Sequence, residues 1–525
     1  MSNIYKYCLL SLIILFTYGC KKPNPTNNKK ANLQIEELTI EQLSKSYSDG
    51  DATIEQVTQM YLDRIKSIDQ SGPKLNSFLY VNPKAIEQAR VLDQEFKAGK
   101  SRGAMHGIPV VLKDNIDTYD MPTTAGSRAL ENSYPLQDSW VAEKLRAAGA
   151  VILGKANLSE WANFRGEKST SGWSGLGGLS KNPYVLDRNT CGSSAGSGVA
   201  ASANLCVVAI GTETNGSIVC PSHTNGIVGI KPTVGLISRD GIIPISWTQD
   251  TGGPMARTVR DAAICLSVLT GIDNRDAKTL ESKGKTHADY TSFLKKDGLA
   301  GKRIGLFLGA MGYNDGVDSL CRLAVEKMKN LGAEIVEIEE IADPSTGAKS
   351  FKIMLYEYKD GLNKYFRSLG EKAKIKDLEE LIAFNKNDEV ELKYFNQAYL
   401  ERAQEMGDLD SDDYIVTLKS MLEQSRTKGI DRVMKEYKLD AIVAPTGGPA
   451  WKTDLENGDT YGGGSSSSAA WSGYPNITVP MGFIDELPVG ISIFGKGYDE
   501  GGLLTIAYSY EQATLHRRAP KFLQN

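Results

Sequence analysis

Three residues in the first half of the chain stand in segments suited to chemistry: Lys113 in HGIPVVLKDN, Ser193 in CGSSAGSG and Ser217 in GTETNGSIVCP. An amine base, a relay hydroxyl and a nucleophilic hydroxyl on glycine-rich loops supply what acyl transfer needs when no histidine takes part. Ser217 follows an apolar run, and the glycine and polar residues at 212–217 let successive backbone N–H groups converge on one point, as an oxyanion requires. A tight turn with a capping serine would carry the same residues. Lys113 ends the strand-like GIPVVL. A lysine at its ordinary pKa of about 10.4 is a poor base at neutral pH, so this role requires a buried, neutral amine.

Other chemistries fit less well. The chain has four histidines, His106, His223, His287 and His516, and a G-x-S-x-G match centred on Ser194 in GSSAG. A nucleophile elbow of the G-x-S-x-G kind follows a hydrophobic strand, whereas NPYVLDRNTC before this motif carries proline and charges and reads as loop. The S-x-x-K pairs Ser71/Lys74 and Ser292/Lys295 lack companion motifs, and GEKS at 166–169 lacks the adjacent Gly and Lys of a P-loop. The net charge of −4 gives no basic footprint for nucleic acid.

The elements that must position these residues follow an α/β texture. Thr39 with Gln42 and Thr53 with Gln56 have capping-box spacing ahead of two amphipathic helices. Apolar strands are expected at 108–112, 151–154 and 206–211, with helices at 139–148 and 196–204 between and after them. The middle, 274–437, reads as a mainly helical covering region with a strand at 302–308 and helices at 318–331 and 411–434. Strands return at 440–445 and 477–480 around the loop YGGGSSSS. Alternation of this kind predicts one large α/β domain, 35–520, with a mixed central sheet covered by helices on both faces.

The first 19 residues hold an apolar run with a nearby lysine, too short to span a bilayer, ending in TYGC. This resembles a lipoprotein signal with Cys20 as the lipidated residue, followed by a polar tether at 20–34, and implies an exported protein anchored in the bacterial cell envelope. A plain anchor or an ordinary signal peptide are the alternatives. Beyond Cys8 and Cys20 the chain has five cysteines. Cys191 and Cys220 flank the two serine motifs and read as buried thiols packing as small hydrophobes, with a disulfide as the alternative.

Taken together and in this order, GIPVVLKDN, DRNTCGSSAGS, GTETNGSIVCPSHTNGIVGIKPTVGLISRDG, TQDTGGPMART, YPNITVPMG and PVGISIFG resemble the amidase signature family from about residue 38 to 517. The resemblance implies that family's fold and hydrolysis of carboxamide C–N bonds through a serine acyl-enzyme, with no metal or organic cofactor. It makes Ser217 the nucleophile, Ser193 a bridging serine held by a cis peptide, Lys113 the base, and the backbone N–H groups of Thr214, Asn215, Gly216 and Ser217 the oxyanion hole.

Two positions depart from the family's pattern. Asn215 stands where glycine is usual, and asparagine tolerates left-handed backbone. Val219 stands where arginine is common, which argues against small diacid monoamides. These departures, with Cys220 and the segments 157–178 and 234–257, are similar to the peptide amidase branch, whose members deamidate C-terminal carboxamides of peptides. Trp161, Phe164 and Trp173 are expected either to line a groove or to pack as core, and Trp173, Val219 and Cys220 to contact substrate. The partner implied is a small amide or amidated peptide. Alternatives are a non-peptide aliphatic or aryl amide hydrolase, a component of an amidotransferase that works on charged tRNA, and a catalytically silent binding lipoprotein.

Overall fold

Strands such as PVVLK and VILGKA are apolar without alternation, so they are stable only where both faces of a sheet are covered. The structure, a computed structural model that describes residues 33–524, satisfies that demand. Its strands are β1 (Phe78–Val81), β2 (Pro109–Lys113), β3 (Val151–Ala156), β4 (Trp173–Ser174), β5 (Gly178–Leu179), β6 (Val208–Glu213), β7 (Val228–Lys231), β8 (Thr251–Ala256), β9 (Arg303–Phe307), β10 (Glu334–Ile338), β11 (Ala441–Pro445), β12 (Asn476–Ile484) and β13 (Leu487–Phe494). Eleven of them form one sheet in the order β1-β3-β2-β6-β8-β7-β12-β13-β11-β9-β10, with β4 and β5 a separate small pair. The sheet is mixed: β3, β2 and β6 run parallel, as do β11, β9 and β10, and the remaining neighbours are antiparallel.

Both expected capping boxes form. Thr39 and Thr53 accept from the backbone N–H of Gln42 and Gln56, whose side chains accept from the cap N–H groups, ahead of helices Ile40–Asp49 and Ile54–Arg64. Each such cap is worth about 1 kcal/mol. Ser139 caps helix Trp140–Ala147, as its position before the apolar run predicts.

Three elements differ from expectation. The strand expected at 206–211 runs from Val208 to Glu213, continuing through two polar residues whose side chains are bonded within the site described below. The middle region is not only cover, since β9 and β10 extend the sheet at its far edge in parallel register. The single helix expected at 411–434 breaks after Ser425, where Gly429 takes φ −101 and ψ −115, and resumes at Asp431–Glu436. The leader, Cys20 and most of the tether lie outside the described residues. No described helix is long and apolar enough to cross a membrane.

Candidate active site

Strands β2 and β6 pair in parallel with Leu112 opposite Ile210, so their carboxyl ends bring Lys113 beside Thr212. Such carboxyl ends are where open α/β sheets bind ligands. Lys113 Nζ donates to Thr212 Oγ1 at 2.9 Å and to the Thr212 carbonyl at 3.2 Å, and lies 2.7 Å from Ser193 Oγ. Asn115 Nδ2 donates to the same Thr212 hydroxyl at 3.0 Å and fixes it. Lys113 is fully buried, and burial lowers its pKa to about 7, with the charges of Asp250 and Glu213 opposing the shift. On the neighbouring strand, Lys155 is equally buried but sits 3.2 Å from Asp114. The two lysines therefore differ in kind: one is charge-paired, and the other is desolvated without an ion-pair partner among the described residues. A neutral Lys113 that donates both N–H groups to Thr212 directs its lone pair at the Ser193 hydroxyl.

Ser193 is buried and follows a cis Gly192–Ser193 peptide. The helix after it, Ala195–Ser202, is made of small residues because it packs against backbone: a Cβ at Gly196 would collide with the carbonyl oxygens of Ser77 and Asn157. Ser194, the centre of the GSSAG motif, commits its hydroxyl to Thr212, donating to the carbonyl at 3.1 Å and accepting from the N–H at 3.2 Å. The loop before it confirms that no elbow is present. His223, on helix Val219–Thr224, is buried without a hydrogen-bond partner among the described residues, and burial lowers its pKa to about 3, so it stays a neutral bystander.

The turn carrying Ser217 is held from both sides by carboxylates. Glu213 Oε2 accepts from the N–H groups of Ile218 and Val219 at 2.8 and 3.0 Å. Thr214 Oγ1 donates to Asp250 Oδ1 at 2.6 Å, while Asp250 Oδ2 accepts from the N–H groups of Ile245 and Ser246. Burial raises the Asp250 pKa to about 6, and these bonds hold it from rising further. The left-handed residue of the turn is Gly216, at φ +85, and not Asn215. Asn215 instead reaches outward, its Oδ1 accepting from Ser466 Oγ at 2.7 Å. The backbone N–H groups of Thr214, Asn215, Gly216 and Ser217 have no acceptor among the described residues, and neither does the Ser217 hydroxyl. Four consecutive unused donors on a turn are a ready anion site.

Ser217 opens into a cavity of about 290 Å³ whose walls include Asn163, Phe164, Trp451, Asp459 and Tyr461. Cys191 and Cys220, read as two buried thiols, are in fact joined in a disulfide in its wall. Thr224 and Asn225, at the end of the Cys220 helix, donate to the Thr190 carbonyl at 2.6 and 3.0 Å, and this draws the two Cα atoms to 5.9 Å. Of the expected substrate contacts, Cys220 lines the cavity and the other two do not. Val219 is buried in the first turn of its helix. Trp173 packs edge-on against Tyr394 and Phe395, with the Arg165 guanidinium 5.7 Å from its ring. Trp161 is core and Phe164 is a cavity wall.

Several lining residues were missed by sequence reasoning. Of these, Ala162 and Asn163 follow the core residue Trp161 in a left-handed turn, with φ +51 at Trp161, +52 at Ala162 and +68 at Asn163, a conformation that costs roughly 1–2 kcal/mol for a residue such as Trp or Ala and is concentrated at functional sites. No glycine marks it. Trp451, Asp459, Tyr461 and Ser466 come from the stretch around YGGGSSSS. Its two aromatic residues and aspartate amid glycine and serine were the available signal.

The family model described as Amidase matches residues 56–504. The fold is similar to the crystal structure of native peptide amidase from Stenotrophomonas maltophilia, with 44% sequence identity and a TM-score of 0.90 over 93% of this chain and 99% of that one. It is also similar to the crystal structure of an amidase family protein from Bacillus anthracis, at 36% identity and a TM-score of 0.84 over 93% of each chain. A probable amidase of Arabidopsis thaliana is 38% identical over 94% of this chain and 93% of its own length.

Proposed function

The chain belongs to the amidase signature family and hydrolyses amide C–N bonds, and we propose that it does so with Ser217, Ser193 and Lys113, on the C-terminal carboxamide of peptides. The observation that carries the mechanism is the 2.7 Å contact between Ser193 Oγ and a lysine whose pKa burial has lowered to about 7. Neutral Lys113 takes the Ser193 proton as Ser193 takes that of Ser217, whose oxygen attacks the carboxamide carbon. The oxyanion is met by the unused N–H groups of residues 214–217. The relay returns the proton to the leaving ammonia, and water then hydrolyses the acyl-enzyme. The Ser193 hydroxyl is bonded to Lys113, and the proposed relay requires it also to reach Ser217 in the substrate complex.

The substrate reading rests on charge as well as on similarity to the peptide amidase. Among the cavity's lining residues the one charged side chain is Asp459. No lysine or arginine lines the cavity to meet a carboxylate, which disfavours free glutamine and diacid monoamides and suits a carboxamide-terminated chain. Ammonia release from C-terminally amidated dipeptides is expected to exceed that from free glutamine at least tenfold in kcat/KM. Aryl amides, followed by amine release, are expected to be no better than the peptides. Preference for glutamine or aryl amides, with peptide amides untouched, would overturn the reading.

The leader and Cys20 support export as a lipoprotein of the bacterial cell envelope, facing the periplasm or cell surface. Cells making the full chain are expected to incorporate radiolabelled palmitate into it, with the label lost in Cys20→Ser. Equal labelling of the two proteins would remove the anchor.

A further inference from the structure

The charge that disfavours acids raises the question of what it favours. Asp459 is held by three neutral donors: Ser171 N–H at 3.1 Å to each oxygen, Ser171 Oγ at 2.6 Å and Trp451 Nε1 at 3.2 Å. These three donors make four contacts, two to each oxygen, and so fix the orientation of the carboxylate. They do not neutralise it, since no cation pairs with it among the described residues. Burial holds its pKa above the usual carboxylate range, and the bonds from Ser171 and Trp451 offset only part of that shift. An arriving cation would relieve the same penalty.

Its surroundings are aromatic. Trp451 and Tyr461 pack edge to face at 5.6 Å, and both line the cavity with Phe164. A fixed, unpaired carboxylate beside aromatic rings in the wall of a cavity is an arrangement that selects ammonium groups, through charge at the carboxylate and through the ring quadrupoles.

We propose that Asp459, with Trp451 and Tyr461, forms an ammonium subsite that makes short peptide amides with a free, protonated amino group the preferred substrates. The subsite rests on the peptide-amide reading and adds what lies at the substrate's other end. The carboxamide enters the turn at Ser217, and the protonated amino terminus of the same substrate sits against Asp459.

The test compares dipeptide and tripeptide amides with their N-acetylated counterparts at pH 7, where the free amine is mostly protonated. Wild-type kcat/KM is expected to favour the free amine at least fivefold at one of the two lengths, with the difference in KM. In Asp459→Asn the ratio between the two forms is expected to fall to about one. Because the readout is a ratio within one protein, a general loss of activity in the variant does not imitate the result. Wild type with no preference at either length overturns the subsite even if the variant does not fold, and so does a preference retained in Asp459→Asn. Wild type inactive on every form would instead overturn the peptide-amide reading beneath it.

Discussion

Lys113→Met is expected to lower kcat/KM on any amide substrate by roughly 10²–10⁴-fold, the range lost with a positioned general base, while leaving the thermal midpoint unchanged or raised. Methionine keeps most of the buried stem and removes only the amine. In the native enzyme that amine titrates near 7, far below the ordinary lysine value, because burial disfavours the ammonium. The neutral amine is the active form, so wild-type kcat/KM should rise with pH through about 7 and flatten above it. The residual activity of the methionine variant should lack that inflection. Stability carries the same signature: between about 7 and the ordinary lysine pKa the unfolded chain holds a proton the folded one lacks, so stability increases with pH across that window. Below it the whole penalty is present, and the methionine variant removes it. A variant with near-normal turnover, or with the native pH profile, takes Lys113 out of the reaction.

Ser217→Ala should be more damaging still, with turnover falling on the order of 10⁵–10⁶-fold, as expected when a nucleophile is lost from a group of residues that act together. Ser193→Ala should lose less, because water can replace a relay hydroxyl in part. The two serines are separated more directly by mass spectrometry of enzyme quenched during turnover of an activated ester, which should place the acyl group on Ser217. Acylation at Ser193 would exchange their roles. Acylation at Ser194 would restore the elbow that its bonds to Thr212 argue against.

Much of the frame was legible in the chain because burial on both faces leaves a plain mark: β2, β3 and β11 are runs of apolar residues. The capping boxes were legible because both partners lie three residues apart. What was not legible has physical causes of two kinds. Polar residues at a strand end look like the start of a loop, so Thr212 and Glu213 read as lying outside β6 although their bonds to Lys113 and to the Ser217 turn keep them extended. The amphipathic β10, EIVEI, has exposed glutamates and little apolar run to betray it. The second cause is distance along the chain: Asp459 meets Ser171 across 288 residues, and no local pattern records such a meeting. The left-handed turn at Trp161–Asn163 is hidden in a like way, since Trp and Ala favour other conformations and the turn is held by backbone bonds that include one from Trp161 N–H to the distant Ala125 carbonyl. Even the disulfide was visible merely as two cysteines beside the serine motifs.

That disulfide closes a covalent ring over a sequence separation of 29 residues, and both serines lie inside it. By chain entropy alone a ring of this size disfavours the unfolded state by roughly 3–4 kcal/mol. The topology matters as much as the energy: helix Ala195–Ser202 and β6 are threaded on the same ring, while Lys113 stands outside it on β2. Breathing motions that would part the two serine loops are therefore limited by a bond, whereas contact with the base depends on the sheet staying paired. In a thiol-rich compartment such rings are rare, and in an oxidising one they persist. On the proposed export, the half of the site that carries Ser217 would reach its full rigidity only in the oxidising compartment, and a copy kept in a thiol-rich one would be built from the same atoms yet more loosely held around Ser217.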